Sequence, residues 1–68
     1  MPYRSTLDLP PAIQERLPVH AQEIFLAAFN NAFDEYAGRP DREPIAFRVA
    51  WSAVKRRYRK VGDEWEEK

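Results

Sequence analysis

The chain has 68 residues, eleven Lys/Arg against eleven Asp/Glu, 44% hydrophobic residues and no cysteine. One small domain spanning residues 1–68 is all that such a length allows, and packing must stabilise it, because neither disulfides nor a thiolate metal site can contribute. Zero net charge argues against a uniformly basic nucleic-acid coat, and no apolar run approaches the roughly 20 residues of a membrane span. Met1-Pro2-Tyr3-Arg4 does not read as a secretory signal, so the cytoplasm is the expected compartment.

Prolines at 2, 10, 11, 18, 40 and 44 leave only the stretches after 18 and after 44 long enough for multi-turn helices. A short first helix is predicted over Ala12–Leu17, with Pro10 or Pro11 in its first turn and Asp8 able to cap it. Its apolar edge is Leu9, Ile13 and Leu17. At about two turns it cannot stand alone and must dock on something larger.

The second helix is predicted from Pro18–His20 to Tyr36 or Ala37, with Gly38 as a left-handed stop. Ala21, Phe25, Ala28, Phe29, Ala32, Phe33 and Tyr36 fall on an arc of about 120°, opposite Glu23, Asn30 and Asp34. Ile24 lies at the margin of this arc, where it is expected to meet the first helix.

The polar loop Gly38–Glu43 leads into a third helix starting at Pro44, with Asp41 or Glu43 supplying negative charge to its first turn. This helix is predicted to run to about Lys60. Phe47, Ala50, Trp51, Val54, Tyr58 and Val61 form its core stripe, while Arg48, Ser52, Arg56 and Arg59 face away. Ala28, Ala32 and Ala50 allow the two long helices to approach closely.

Gly62-Asp63 reads as a turn, and Trp65 is too large an apolar surface to leave in water. The tail is therefore expected to fold back, as a short strand pairing with Tyr3-Arg4-Ser5. The fold class is mainly α: a compact three-helix domain, with a short helix one, antiparallel helices two and three, and a small β-sheet from the N- and C-terminal segments.

Lys55, Arg56, Arg57, Arg59 and Lys60 put five cations in six residues. Cations in a last helical turn complement the helix dipole, and their stems shield the core edge. The same cluster can also bind an anionic surface or the phosphates of nucleic acid. Residues 1–43 hold four Lys/Arg and seven Asp/Glu, a net −3, and residues 44–68 hold the reverse, a net +3. Asp63, Glu64, Glu66 and Glu67 make the tail acidic, and its position decides how far they screen the cations.

Several motifs resemble the ChaB family along essentially the whole chain. The first half is carried by Met1-Pro2-Tyr3, Leu9-Pro10, Leu17-Pro18, His20-Ala21-Gln22, Ile24, Ala28-Phe29-Asn30, Ala32 and Tyr36. The second half is carried by Val49-Ala50-Trp51, Ala53-Val54-Lys55, Tyr58 and Gly62-Asp63 followed by Trp65. The resemblance implies a non-enzymatic regulatory or binding module, since the family is named for regulation of a cation/proton antiporter. It makes a membrane cation antiporter one candidate partner. ChaB-like domains also occur in contexts that suggest nucleic-acid association, which makes nucleic acid the alternative. Two features depart from the family pattern. The loop between helices two and three holds only Asp41 and Glu43 among its acids, and Val19 stands where a Ser would form a capping box with Gln22.

The resemblance also singles out His20, Gln22 and Asn30 as motif polar residues. A lone histidine cannot form a zinc site unaided, and no calcium-loop pattern is present. Nothing groups a nucleophile, a base and an oxyanion hole, so neither catalysis nor a cofactor or metal is expected. His20 is instead read as a helix-start residue, with Gln22 beside it in a small polar pocket. Gln22 and Asn30 can also serve as plain capping and surface residues. A third possibility is a stable domain that assembles with itself, although a monomer is the expected state.

Overall fold

The computed structural model describes residues 3–68; the Met1-Pro2 step of the family resemblance lies outside them. A 3-10 turn over Thr6–Asp8 precedes α1 (Pro11–Arg16), α2 (Val19–Glu35) and α3 (Arg42–Arg57), and two strands follow, β1 (Tyr58–Val61) and β2 (Glu64–Glu67). Pro11 opens α1, where its missing N–H costs nothing. Pro18 separates α1 from α2 and itself occupies the N-cap of α2, where it forms no side-chain bond; Val19 is the first helical residue, so the expected capping position is displaced by one. The chain reverses after α2 through Gly38, whose φ of 91° is readily available only to glycine. Asp41 precedes α3, but its carboxylate is held by the Arg39 guanidinium at 3.0 and 3.2 Å and does not cap the helix.

The core lies between α2 and α3. Ala21, Phe25, Phe29 and Ala32 from α2 are buried against Ala46, Ala50 and Val54 from α3, and Leu9, Ile13, Leu17 and Tyr58 close the ends. Phe25 meets Trp51 edge-on at 5.2 Å, and Phe29 meets Phe47 edge-on at 4.8 Å. The 3.6-residue period reads this seam correctly except at Ala46, which is buried one residue before the predicted stripe, and at Ala28, which is only half-buried and lines an open groove.

Four expectations differ from the structure. Helix three stops at Arg57, and Tyr58 is extended (φ −128°, ψ 154°), because Gly62-Asp63 forms a two-residue turn that lets 58–61 pair with 64–67. Gly62 has φ 63°, and no other residue of the turn has positive φ, the pattern of a type II′ hairpin turn. The small sheet is thus this hairpin, and Tyr3-Arg4-Ser5 takes no part in it. Two-residue closure holds the strands together far more cheaply than pairing segments at opposite ends of the chain.

Val61 is 47% exposed, not core, since strand alternation places Tyr58 on the inner face and Val61 on the outer. Ile24 turns away from α1 and lies towards Ala53 and Arg56 of α3. The hydrogen bonds from Gln22 reach α1 from the other side of α2, and 100° per residue puts Ile24 roughly opposite.

Phe25→Ala should destabilise the domain by about 3–5 kcal/mol, enough to leave much of it unfolded. Half-buried Trp51 holds the hairpin, so Trp51→Ala should cost less globally but strip amide protection from β1 and β2 first. Urea denaturation and hydrogen exchange read the two effects separately.

Candidate partner-binding surface

The five clustered cations do not form one helical belt. Lys55, Arg56 and Arg57 occupy the last turn of α3, whereas Arg59 and Lys60 lie on β1, and all five are exposed. Register sets Glu66 opposite Arg59, Glu67 opposite Tyr58 and Trp65 opposite Lys60. Trp65 stacks on Trp51 at a centroid distance of 5.7 Å, which fixes the tail beside α3. The acids therefore adjoin the strand cations and leave the helical cations more open.

Arg56 and Arg57 also border an open groove of about 540 Å³ between α2 and α3. Ile24, Ala27, Ala28 and Ala53 line its floor, and His20 stands at one end. A second concavity, of about 330 Å³, shares Ala53 and Arg56 and extends along α3 past Ser52 and Val49 to Arg48. The trough has a plain origin: the phenylalanines of both helices and Trp51 lie on the seam side, and alanines take up much of this one. Arg48 is an addition to the sequence-predicted set. Its spacing from Ser52 and Arg56, four and eight residues, was the available signal. From residue 44 to residue 62 the chain carries six cations and no acid.

His20 is exposed, with Nδ1 3.7 Å from Glu23 Oε1, beyond hydrogen-bond range, and its ring centroid 6.3 Å from that of Tyr58. Gln22 does not share its surroundings. It is buried, and its Nε2 donates to the carbonyls of Leu17 (2.8 Å) and Gln14 (3.2 Å), satisfying the open C-terminal end of α1. Asn30 is buried too, not a surface residue. Its Nδ2 donates to the Tyr3 carbonyl at 2.8 Å, and its Oδ1 accepts from the Tyr3 N–H at 3.2 Å. One amide side chain thus serves as the strand partner that Tyr3 lacks. The pocket expected around His20 and Gln22 is divided by the helix itself, since the two side chains leave α2 on different faces. Among the described residues, no group of three His, Asp or Glu side chains is gathered in a way that could hold a metal ion. No described helix is long and apolar enough to cross a membrane.

Comparison with known proteins gives a single result. The family model ChaB matches residues 9–68. The chain belongs to the ChaB family. Proteins named "Putative cation transport regulator ChaB" from Escherichia coli (strain K12) and Shigella flexneri are 44% identical over 75 aligned positions, covering 100% of this chain and 99% of theirs. A structure described as "NMR solution structure of the putative cation transport regulator ChaB" superposes with a TM-score of 0.87 at 44% identity, covering 98% of this chain and 99% of that one. The ChaB match includes the whole groove and both halves of the basic segment. Tyr3 lies before its start, so the Asn30 clamp reaches from inside the matched stretch to a residue outside it.

Burial raises the pKa of Tyr58, and the neighbouring Glu67 raises it further; burial and then Glu43 do the same for Tyr3. A tyrosine that ionises less readily when folded contributes fully below its unfolded pKa of about 10 and loses that contribution as pH rises through the folded value. Stability should therefore fall above about pH 10, and the fall should be shallower in Tyr58→Phe, as read by denaturation midpoints across the alkaline range. Asn30→Ala should cost about 1–3 kcal/mol by orphaning both Tyr3 backbone groups. Loss of the nuclear Overhauser contact between Tyr3 and Phe29 would accompany it.

Proposed function

We propose that this protein is a non-enzymatic regulator of cation transport that acts in the cytoplasm by binding a partner through the basic face of α3. Its full-length likeness to proteins named cation transport regulator ChaB carries the reading. The surface chemistry supports it: Arg56 and Arg57 border the groove between α2 and α3, Arg48 and Arg56 border the adjoining concavity on α3, and Lys55 precedes Arg56 as an exposed cation. A membrane cation antiporter is the partner class that the relatives' name favours, and the anionic cytoplasmic leaflet would attract the same cations.

A regulator of this kind predicts that deleting the gene changes sodium, calcium or proton exchange in membrane vesicles. Arg56→Gln combined with Arg57→Gln should leave folding stability within about 1 kcal/mol, since only helix-end charge is lost, yet fail to restore exchange. Unchanged exchange after deletion would remove the proposal.

The acid-free stretch from 44 to 62 favours a second reading, a nucleic-acid-associated module that uses Lys55, Arg56 and Arg57. It predicts duplex or single-stranded DNA binding that weakens steeply with salt, with a slope that falls by about one for each phosphate-contacting Arg removed. The β2 acids beside Arg59 weigh against it by screening one end of the basic run. A low-salt titration with no binding would exclude it.

A further inference from the structure

We propose that the groove between α2 and α3 is a docking site for an acidic amphipathic helix of a protein partner; this rests on the binding-module reading and names its surface and ligand chemistry. The floor is apolar and narrow, made of Ile24, Ala27, Ala28 and Ala53. Alanines between two antiparallel helices leave the space that a third helix fills with its own apolar stripe. The α3 wall carries Arg56 and Arg57 near the C-terminal end of that helix; a neighbouring concavity on the outer surface of α3 shares Ala53 and Arg56 and adds Arg48, Val49 and Ser52.

The groove's cations, Arg56 and Arg57, therefore both stand on the α3 side, flanking apolar ground. Guanidinium groups in that position pair with carboxylates, each capable of two parallel hydrogen bonds. Across the groove at the same end, the α2 side holds His20 with Glu23 beside it. A bound helix would consequently turn its acids towards α3 and keep them from Glu23, which gives it a defined orientation. Along α2 the groove runs from His20 to Ala28, about 12 Å at 1.5 Å per residue, the length of about two helical turns.

Phosphate-bearing ligands match the rim but not the floor. A nucleic-acid backbone offers no apolar side chain to seat on Ala27, Ala28 and Ala53, and a lipid surface is flat where this face is concave. So small an interface belongs to the transient class, with a dissociation constant in about the micromolar range.

A library of helical peptides about three turns long, randomised in sequence and selected against the full chain, tests the proposal. Selected peptides should carry apolar residues three and four apart, flanked by Asp or Glu. They should shift the amide resonances of Ala27, Ala28 and Ala53. Two variants separate shape from charge. Ala27→Arg adds bulk and a positive charge at an exposed position lining the groove, and Arg56→Glu reverses a rim charge. Each should weaken peptide binding at least about tenfold while leaving the thermal midpoint nearly unchanged.

Recovery of no peptide, recovery of peptides without acids, or binding indifferent to Ala27→Arg would overturn the proposal. Anionic phospholipid vesicles or duplex DNA serve as controls. If they bind without any peptide being selected, and bind as well or better to Ala27→Arg, the cations serve phosphate and the groove is not a docking site. Exchange measurements in the same strains keep the two readings apart. Groove-selective peptide binding with exchange indifferent to deletion would retain the groove and remove the regulator reading. Exchange altered by deletion, but restored by Ala27→Arg with no groove-selective peptide found, would do the opposite.

Discussion

Phe25 is fully buried between α2 and α3, with Trp51 edge-on at 5.2 Å, Phe47 at 6.1 Å and Phe29 one turn along at 6.1 Å. From this ring the aromatic contacts extend along the seam in both directions. Phe29 continues them to Phe33 and to Tyr3, and Trp51 continues them to Trp65. In a small domain without disulfides, two long helices sharing one continuous aromatic interface are the main source of stability. The remaining parts attach to that interface: the N-terminal segment through Tyr3, the C-terminal hairpin through Trp65. At its far end Arg42 closes the seam. Its guanidinium carbon lies 3.6 Å from the Phe33 ring centroid, and Nε and Nη2 both donate to the Phe33 carbonyl, one of the acceptors that the end of α2 leaves open.

Placing every large ring on one side has a consequence for the other. Ala27, Ala28 and Ala53 cannot fill the space behind the seam, and the trough that results is bordered by the arginines of α3. The features that stabilise the fold and those that offer a binding surface are therefore two faces of the same pair of helices. Buried polar groups play a structural part within this scheme. Gln22 and Asn30 satisfy backbone groups in segments too short to satisfy themselves, which ties α1 and Tyr3 to α2.

The charge distribution follows from the same geometry. A zero net charge conceals an acidic first part, a basic α3 and β1, and an acidic β2. The hairpin brings the last two together, so Arg59 faces Glu66 across the strands and the helical cations are left as the open part of the cluster. In this member of the ChaB family the basic segment divides at the boundary between helix and strand.

Local periodicity was enough to determine the long helices, their packed faces and the turns at Gly38 and Gly62, because apolar spacing and the steric freedom of glycine act within a few residues. The family motifs likewise stand in the sequence itself. Tertiary structure alone decided the rest. Tyr58 could continue a helix by its spacing, and only the pairing of 58–61 with 64–67 made it a strand. Asn30 and Gln22 look like surface residues on the α2 wheel until the backbone of distant segments arrives to use their amides. Arg56 and Arg57 came to border Ile24, Ala27 and Ala28 only once α2 lay beside α3. Each of these depends on which segments meet across the chain, and a pattern confined to one segment carries no information about that meeting.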